Sequence, residues 1–166
     1  VLNAEYNAMI TTLQPFAQRL RELDASHRFT LRDAALADAT GLVSLSARSN
    51  RNVITTVESF GASLRRLDAR GSRIGDAGLV TATNLVYLKA SCNNRIHSLA
   101  PFCATLLELD ASGFGKCMMD AALSVTTNLI WVNVSRNKTI TTLQSCSWSL
   151  RHLVAGCGYA LTNEGL

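Results

Sequence analysis

Long apolar runs are missing from this chain. No stretch approaches the roughly 18 consecutive apolar residues that would cross a membrane as a helix, although 48% of the residues are hydrophobic and supply a core. A strong charge of one sign is missing too. The chain has 16 basic and 12 acidic residues, a net charge of +4, and Arg dominates the basic set. Arg suits planar, bidentate contacts, and a nucleic-acid binder of this size would carry a denser basic stripe. Charged residues are also too sparse for a disordered chain. The length of 166 residues suits one domain.

The signatures of catalysis and cofactor binding are equally scarce. Gly113-Phe-Gly115 has no following Lys-Ser/Thr and makes no phosphate-cradling loop. The three histidines do not converge with the cysteines on a zinc site. His152 and Cys157 lack an orienting acid, so they make no nucleophile–base pair. No cofactor is expected. There is no Cys-x-x-Cys, and Cys92, Cys103, Cys117, Cys146 and Cys157 are odd in number and differ in phase. Free thiols in the cytoplasm are the expectation. Two glycosylation sequons, Asn133-Val-Ser135 and Asn137-Lys-Thr139, are read as chance, because Asn137 falls at a position expected to be buried.

What the chain does have is a repeat. Leu-x-x-Leu-x-Ala recurs at Leu20/Leu23/Ala25, Leu42/Leu45/Ala47, Leu64/Leu67/Ala69, Leu85/Leu88/Ala90, Leu106/Leu109/Ala111 and Leu150/Leu153/Ala155, with Leu129/Val132/Val134 between the last two. The starts step by 22, 22, 21, 21, 23 and 21 residues, and Leu2 and Ala4 close one more copy. A period in the range of about 20–29 residues is the mark of a solenoid. The block resembles a leucine-rich repeat, Leu-x-x-Leu-x-Leu-x-x-Asn/Cys-x-Leu, with alternating types of ribonuclease-inhibitor-like and cysteine-containing-like character. Ala replaces the third Leu, and the next apolar residue often falls one place late (Ile10, Val53, Ile96, Ile140). The resemblance implies an α/β fold: a right-handed horseshoe of about eight coils, with a parallel β-sheet on the concave side and short helices or turns on the convex side. It spans residues 1–166 as a single domain. The chain opens inside a strand block and closes just after Leu161-Thr-Asn-Glu-Gly-Leu166, without an initiator Met, a signal peptide or the polar caps a solenoid needs. A piece of a longer protein is the expectation.

Two kinds of coil alternate. The first carries Leu-Asp-Ala and then Asp33-Ala-Ala-Leu36, Asp76-Ala-Gly-Leu79 or Asp120-Ala-Ala-Leu123. Asp33, Asp76 and Asp120 precede small helix formers and are expected to cap short helices. Asn84 and Asn128 close those segments. The second kind carries an asparagine and then Ile-Thr-Thr-Leu or a relative of it. Its Asn7, Asn50, Asn93 and Asn137 fall where the family's buried asparagine ladder runs, and the resemblance implies that they bond turn amides. Arg28, Ser72, Phe114 and Gly158 hold that slot in the alternate coils, so the ladder is expected to be incomplete. Phe16, Phe60, Phe102 and Trp148 are expected to pack beneath the convex return.

Side chains alternate along a strand, so the residues flanking each inward Leu face the concave surface. They form three columns. The first is Glu22, Ser44, Arg66, Tyr87, Glu108, Trp131, His152; the second Asn3, Asp24, Ser46, Asp68, Lys89, Asp110, Asn133, Val154; the third Glu5, Ser26, Arg48, Arg70, Ser91, Ser112, Ser135, Gly156. Lys89 is expected to pair with Asp68 and Asp110 across strands. Asp24, Asp68 and Asp110 recur with the repeat and read as structural rather than catalytic. Arg48, Arg66, Arg70, Tyr87 and Trp131 combine guanidinium forks with flat rings, the residue types enriched in interface hot spots.

The leading functional expectation is a non-enzymatic protein-interaction scaffold that binds a protein partner on its concave face, with neither nucleic acid nor membrane. Its contacts can include flanking repeats of the same chain. The alternatives are a structural component of an assembly that uses the solenoid edges, and the substrate-recognition part of a larger enzyme such as a ubiquitin-ligase receptor.

Overall fold

A computed structural model describes residues 1–27, 30–50, 53–113, 118–157 and 160–165. Each repeat block contributes one short strand: β1 (Leu2–Asn3), β2 (Glu22–Asp24), β3 (Ser44–Ser46), β4 (Arg66–Asp68), β5 (Tyr87–Lys89), β6 (Glu108–Asp110), β7 (Trp131–Asn133) and β8 (His152–Val154). They form one 8-stranded sheet in chain order. Every pairing is parallel, and Leu23, Leu45, Leu67, Leu88, Leu109 and Val132 stand side by side. These residues and the alanine or valine two places on are buried in a single continuous core. The described residues form a solenoid of stacked coils with one parallel sheet along one side, the architecture that the resemblance to a leucine-rich repeat implies.

After each strand the chain must turn sharply. One position of that turn has positive φ in successive coils: Tyr6, His27, Ser49, Cys92, Arg136 and Cys157 lie between 53° and 61°. Gly71 and Gly113 occupy the same place. Holding a residue with a Cβ there costs about 1 kcal/mol. Ladder-like bonds from this position to the next coil offset it, such as His27 N to Arg48 O and Ser49 N to Arg70 O, both 2.8 Å.

The convex returns alternate as the coils do. The Asp-bearing coils form single-turn helices, α1 (Asp33–Leu36), α2 (Asp76–Leu79) and α3 (Asp120–Leu123). Most of the others make a single 3₁₀ turn, at Ala17–Arg19, Ala100–Phe102 and Gln144–Cys146. Gly78 of α2 sits so close to the previous coil that a Cβ would collide with the Thr55 carbonyl oxygen.

Two expectations about this side are corrected. The aspartates do not cap the helices: each is the first helical residue, and the preceding Arg32, Gly75 or Met119 makes no side-chain cap bond. Asp33 instead accepts from Thr55 N (2.8 Å), Thr55 Oγ1 (2.7 Å) and Thr56 N (3.4 Å) of the next coil. Asp120 does the same with Thr141 N (2.7 Å), Thr141 Oγ1 (2.6 Å) and Thr142 N (3.2 Å). Asp76 accepts from His97 N (2.8 Å) and Ser98 N (3.0 Å), with His97 Nδ1 3.4 Å away. The donors that an extended return leaves unpaired belong to the neighbouring coil, and the carboxylate goes to them. Trp148 is the second correction. Phe60 and Phe102 are buried, but Trp148 is 100% exposed and Phe16 39%. Buried Cys146 fills the core slot that the phenylalanines fill in earlier coils, and Trp148 lies two residues beyond it.

The asparagines also reach between coils. Asn50 Nδ2 donates to Ala25 O (3.2 Å), Asn93 Nδ2 to Ala69 O and Ile74 O (both 3.0 Å), and Asn137 Nδ2 to Ala111 O (2.9 Å). All three are buried. Buried Ser72 takes a further bond from Asn93 at 3.4 Å. Asn7 departs from them: it is exposed, and its carbonyl serves only its own turn, accepting from Met9 N and Ile10 N. Arg28, Phe114, Gly158 and Cys117 lie outside the described residues. Each Asp-bearing coil is therefore stitched to the coil that follows by an asparagine and by an aspartate bracket.

Candidate interaction surface

The strands set the functional surface. Parallel register lines up Ser44, Arg66, Tyr87, Glu108, Trp131 and His152 in one row and Ser46, Asp68, Lys89, Asp110 and Asn133 in the next. Strands are about 4.8 Å apart, so neighbours in a row touch and second neighbours do not.

That spacing divides the five candidate residues. Arg66 Cζ lies over the Tyr87 ring, 4.9 Å from its centroid. Arg70 is paired within its own coil: its Nε meets the Asp68 carboxylate at 2.9 Å and 3.0 Å and its Nη2 at 2.5 Å. The bond to Asp68 holds the Arg70 guanidinium more firmly charged than usual, against the opposing effect of burial. Arg48 is exposed at the end of the β3 row, and its side chain meets no carboxylate among the described residues. Trp131 is half-buried and separated from Tyr87 by Glu108.

Lys89 was expected to bridge Asp68 and Asp110, and it does not. Its Nζ lies over the Tyr87 ring instead, 5.4 Å from the centroid. Asp68 is already held by Arg70, and Asp110 Oδ1 accepts from Ser112 N at 3.0 Å. Asp24 and Asn133 make the same local turn bond, to Ser26 N and Ser135 N. The Asp/Asn column thus shapes turns. Lys89 is the residue that sequence reasoning misassigned; the usable signal was Tyr87-Leu88-Lys89, which puts ring and cation two apart on one face.

Ser44, Ser46, Arg66, Asp68, Tyr87 and Lys89 line a shallow hollow of about 230 Å³. A larger hollow of about 680 Å³ lies beside the Asp76 bracket, lined by Thr55, Asp76, Gly78, Arg95 and His97 among others. Among the described residues no group of three metal-ligating side chains converges and no helix is long and apolar enough to cross a membrane. Cys92, Cys103, Cys146 and Cys157 carry free thiols, and burial pushes the Cys146 thiol up.

No family model matches the chain, and no curated protein matches it. Among solved structures, an internalin from Listeria monocytogenes is similar, at 15% identity and a TM-score of 0.42, with 89% of this chain and 58% of that chain covered. The chain thus spans less than two thirds of the internalin's length.

Proposed function

We propose that the chain is a non-enzymatic protein-recognition module that receives a protein partner on its concave face. The observation that carries this is the Tyr87 ring with Arg66 at 4.9 Å and Lys89 at 5.4 Å, two cations on a solvent-facing sheet with no carboxylate partner among the described residues. A flat ring and charged forks give large contact area at small entropic cost. Each cation–ring contact is worth about 0.5–1 kcal/mol while exposed, and more once a partner excludes water. Arg48 and Trp131 extend the surface on either side. Capture of partners by wild type, Arg66→Ala and Trp131→Ala, each shown to be folded, is the test. Loss in the variants is expected, and retention of every partner by both overturns the reading.

Retention would favour assembly through the coil edges. Apolar surface on the first coil supports that alternative: Tyr6 is 70% and Met9 87% exposed. For compartment, the thiols fit a cytoplasmic protein. Intact mass before and after reduction should be identical; a gain of hydrogens on reduction would reveal a disulfide and move the protein to an oxidising compartment.

A further inference from the structure

We infer that the hollow over β3, β4 and β5 seats the carboxylate of an acidic side chain, carried on an extended protein segment that runs across the strands with basic residues on both sides of it. The inference rests on the reading of the concave face as a protein-binding surface and names what that surface selects.

Charge bookkeeping on the sheet leads there. Arg70 is neutralised by Asp68. Arg48, Arg66 and Lys89 remain, on three successive coils, without a carboxylate partner among the described residues. Arg66 and Lys89 both reach the Tyr87 ring and both line the hollow, so two positive charges without a carboxylate of their own border it. An anion seated in the hollow meets both and gains charge-assisted hydrogen bonds. Ser44, beside Arg66 in the register, has a hydroxyl with no bond among the described residues and offers another donor. Asp68 also lines the hollow. Asp68 is paired with Arg70, and a carboxylate is the anion that an unmodified protein segment carries, so a carboxylate is the group assigned to the hollow.

The flanks have the opposite sign. Glu22 and Asp24 stand on β2, and Glu108 and Asp110 on β6. Along the sheet the surface reads acidic, basic, acidic. With strands about 4.8 Å apart and an extended chain rising about 3.3 Å per residue, β2 lies about four residues of partner from the basic centre and β6 about two. The fitting segment is one acidic residue with a basic residue about four positions to one side and about two to the other. Like charges juxtaposed across an interface exclude wrong partners, so an all-acidic segment fits poorly.

Fluorescence anisotropy with labelled synthetic peptides tests this. The probe has a central glutamate and lysines at those two offsets. The comparison peptides carry glutamine at the centre, phosphoserine at the centre, or glutamates in place of both lysines. Wild type is expected to bind the probe at least about tenfold more tightly than any comparison peptide, and Arg66→Ala and Lys89→Ala to weaken the probe by about tenfold each. Circular dichroism and thermal unfolding of both variants, at solvent-facing positions, confirm that they are folded. Equal binding of the glutamine peptide, indifference to both substitutions, or no binding of the probe at about 1 mM overturns the inference. Tighter binding of the phosphoserine peptide overturns the choice of carboxylate. Equal binding of the all-glutamate peptide overturns the flanking pattern. If partner capture depends on Arg66 and Trp131 while the probe fails to bind, the recognition module stands and this inference falls. If capture ignores both residues, the module reading itself falls.

Discussion

At the residue scale, the informative side chains are those that reach into another coil. Asn93 spends its amide nitrogen on Ala69 O and Ile74 O and its carbonyl on Arg95 N. Truncation leaves those buried backbone groups without a partner, so Asn93→Ala should lower stability by about 1–3 kcal/mol; urea unfolding measures it, and an unchanged midpoint refutes the role. The resemblance implied a buried asparagine at this phase of the turn, and Asn50, Asn93 and Asn137 fill it, whereas the exposed Asn7 does not. Lys89 was not. A lysine flanked in the register by two aspartates reads as a cross-strand pair, and only the structure shows that Arg70 takes Asp68 and that Ser112 takes Asp110. The competition is decided by side chains two residues along the same strand and turn, which a cross-strand rule does not weigh. Trp148 was misplaced for a related reason: Cys146 had already filled the slot assigned to the ring.

At the scale of the elements, Asp33, Asp76 and Asp120 bind the next coil rather than their own helix. Capping rules weigh neighbours within a turn, whereas the donors lie 21–23 residues downstream. Asp120 shows the electrostatic result. Burial favours its neutral form, but bonds from the Thr141 hydroxyl, Thr141 N and Thr142 N outweigh burial and hold the carboxyl below its ordinary value. A carboxyl with a depressed folded-state pKa gives stability that is fully present above the unfolded value, near 3.9, and is lost as pH falls through the folded value. Removing the group should leave a shallower acid limb. Thermal midpoints of wild type and Asp120→Asn should therefore differ most near neutral pH and converge as the pH falls through the depressed folded-state value. Parallel curves would mean that the bracket adds nothing. The group is largely solvated, so the effect is modest.

At the scale of the whole molecule, the stacked coils and their inward leucines were legible in the period and in the resemblance it carries, whereas the grouping of the coils needed the bonds. The aspartate brackets and the buried Asn50, Asn93 and Asn137 join an Asp-bearing coil to the coil after it, whereas the exposed bonds from Asn84 to Ala62 O and from Asn128 to Ala104 O join it to the coil before. Deleting 42–84 removes two coils and still sets an Asp-bearing coil against an Asn-bearing one, whose His97 and Ser98 amides already serve an aspartate bracket. Deleting 85–105 removes one coil and sets two Asp-bearing returns side by side. Shorter solenoids are ordinarily weaker, yet the shorter product should melt higher here, by about 3 °C for each kcal/mol retained. Differential scanning calorimetry on both deletion variants decides it; a higher midpoint for the single-coil deletion would show that the junctions are equivalent.

The same grouping sets how such a chain can grow. Duplicating one coil gives a descendant in which one return lacks its bracket partners, whereas duplicating two gives one that repeats only junctions already present. Lineages built on this pattern should change length in steps of 42–44 residues, the spacing between equivalent coils here. A designer who lengthens the sheet is held to the same increment.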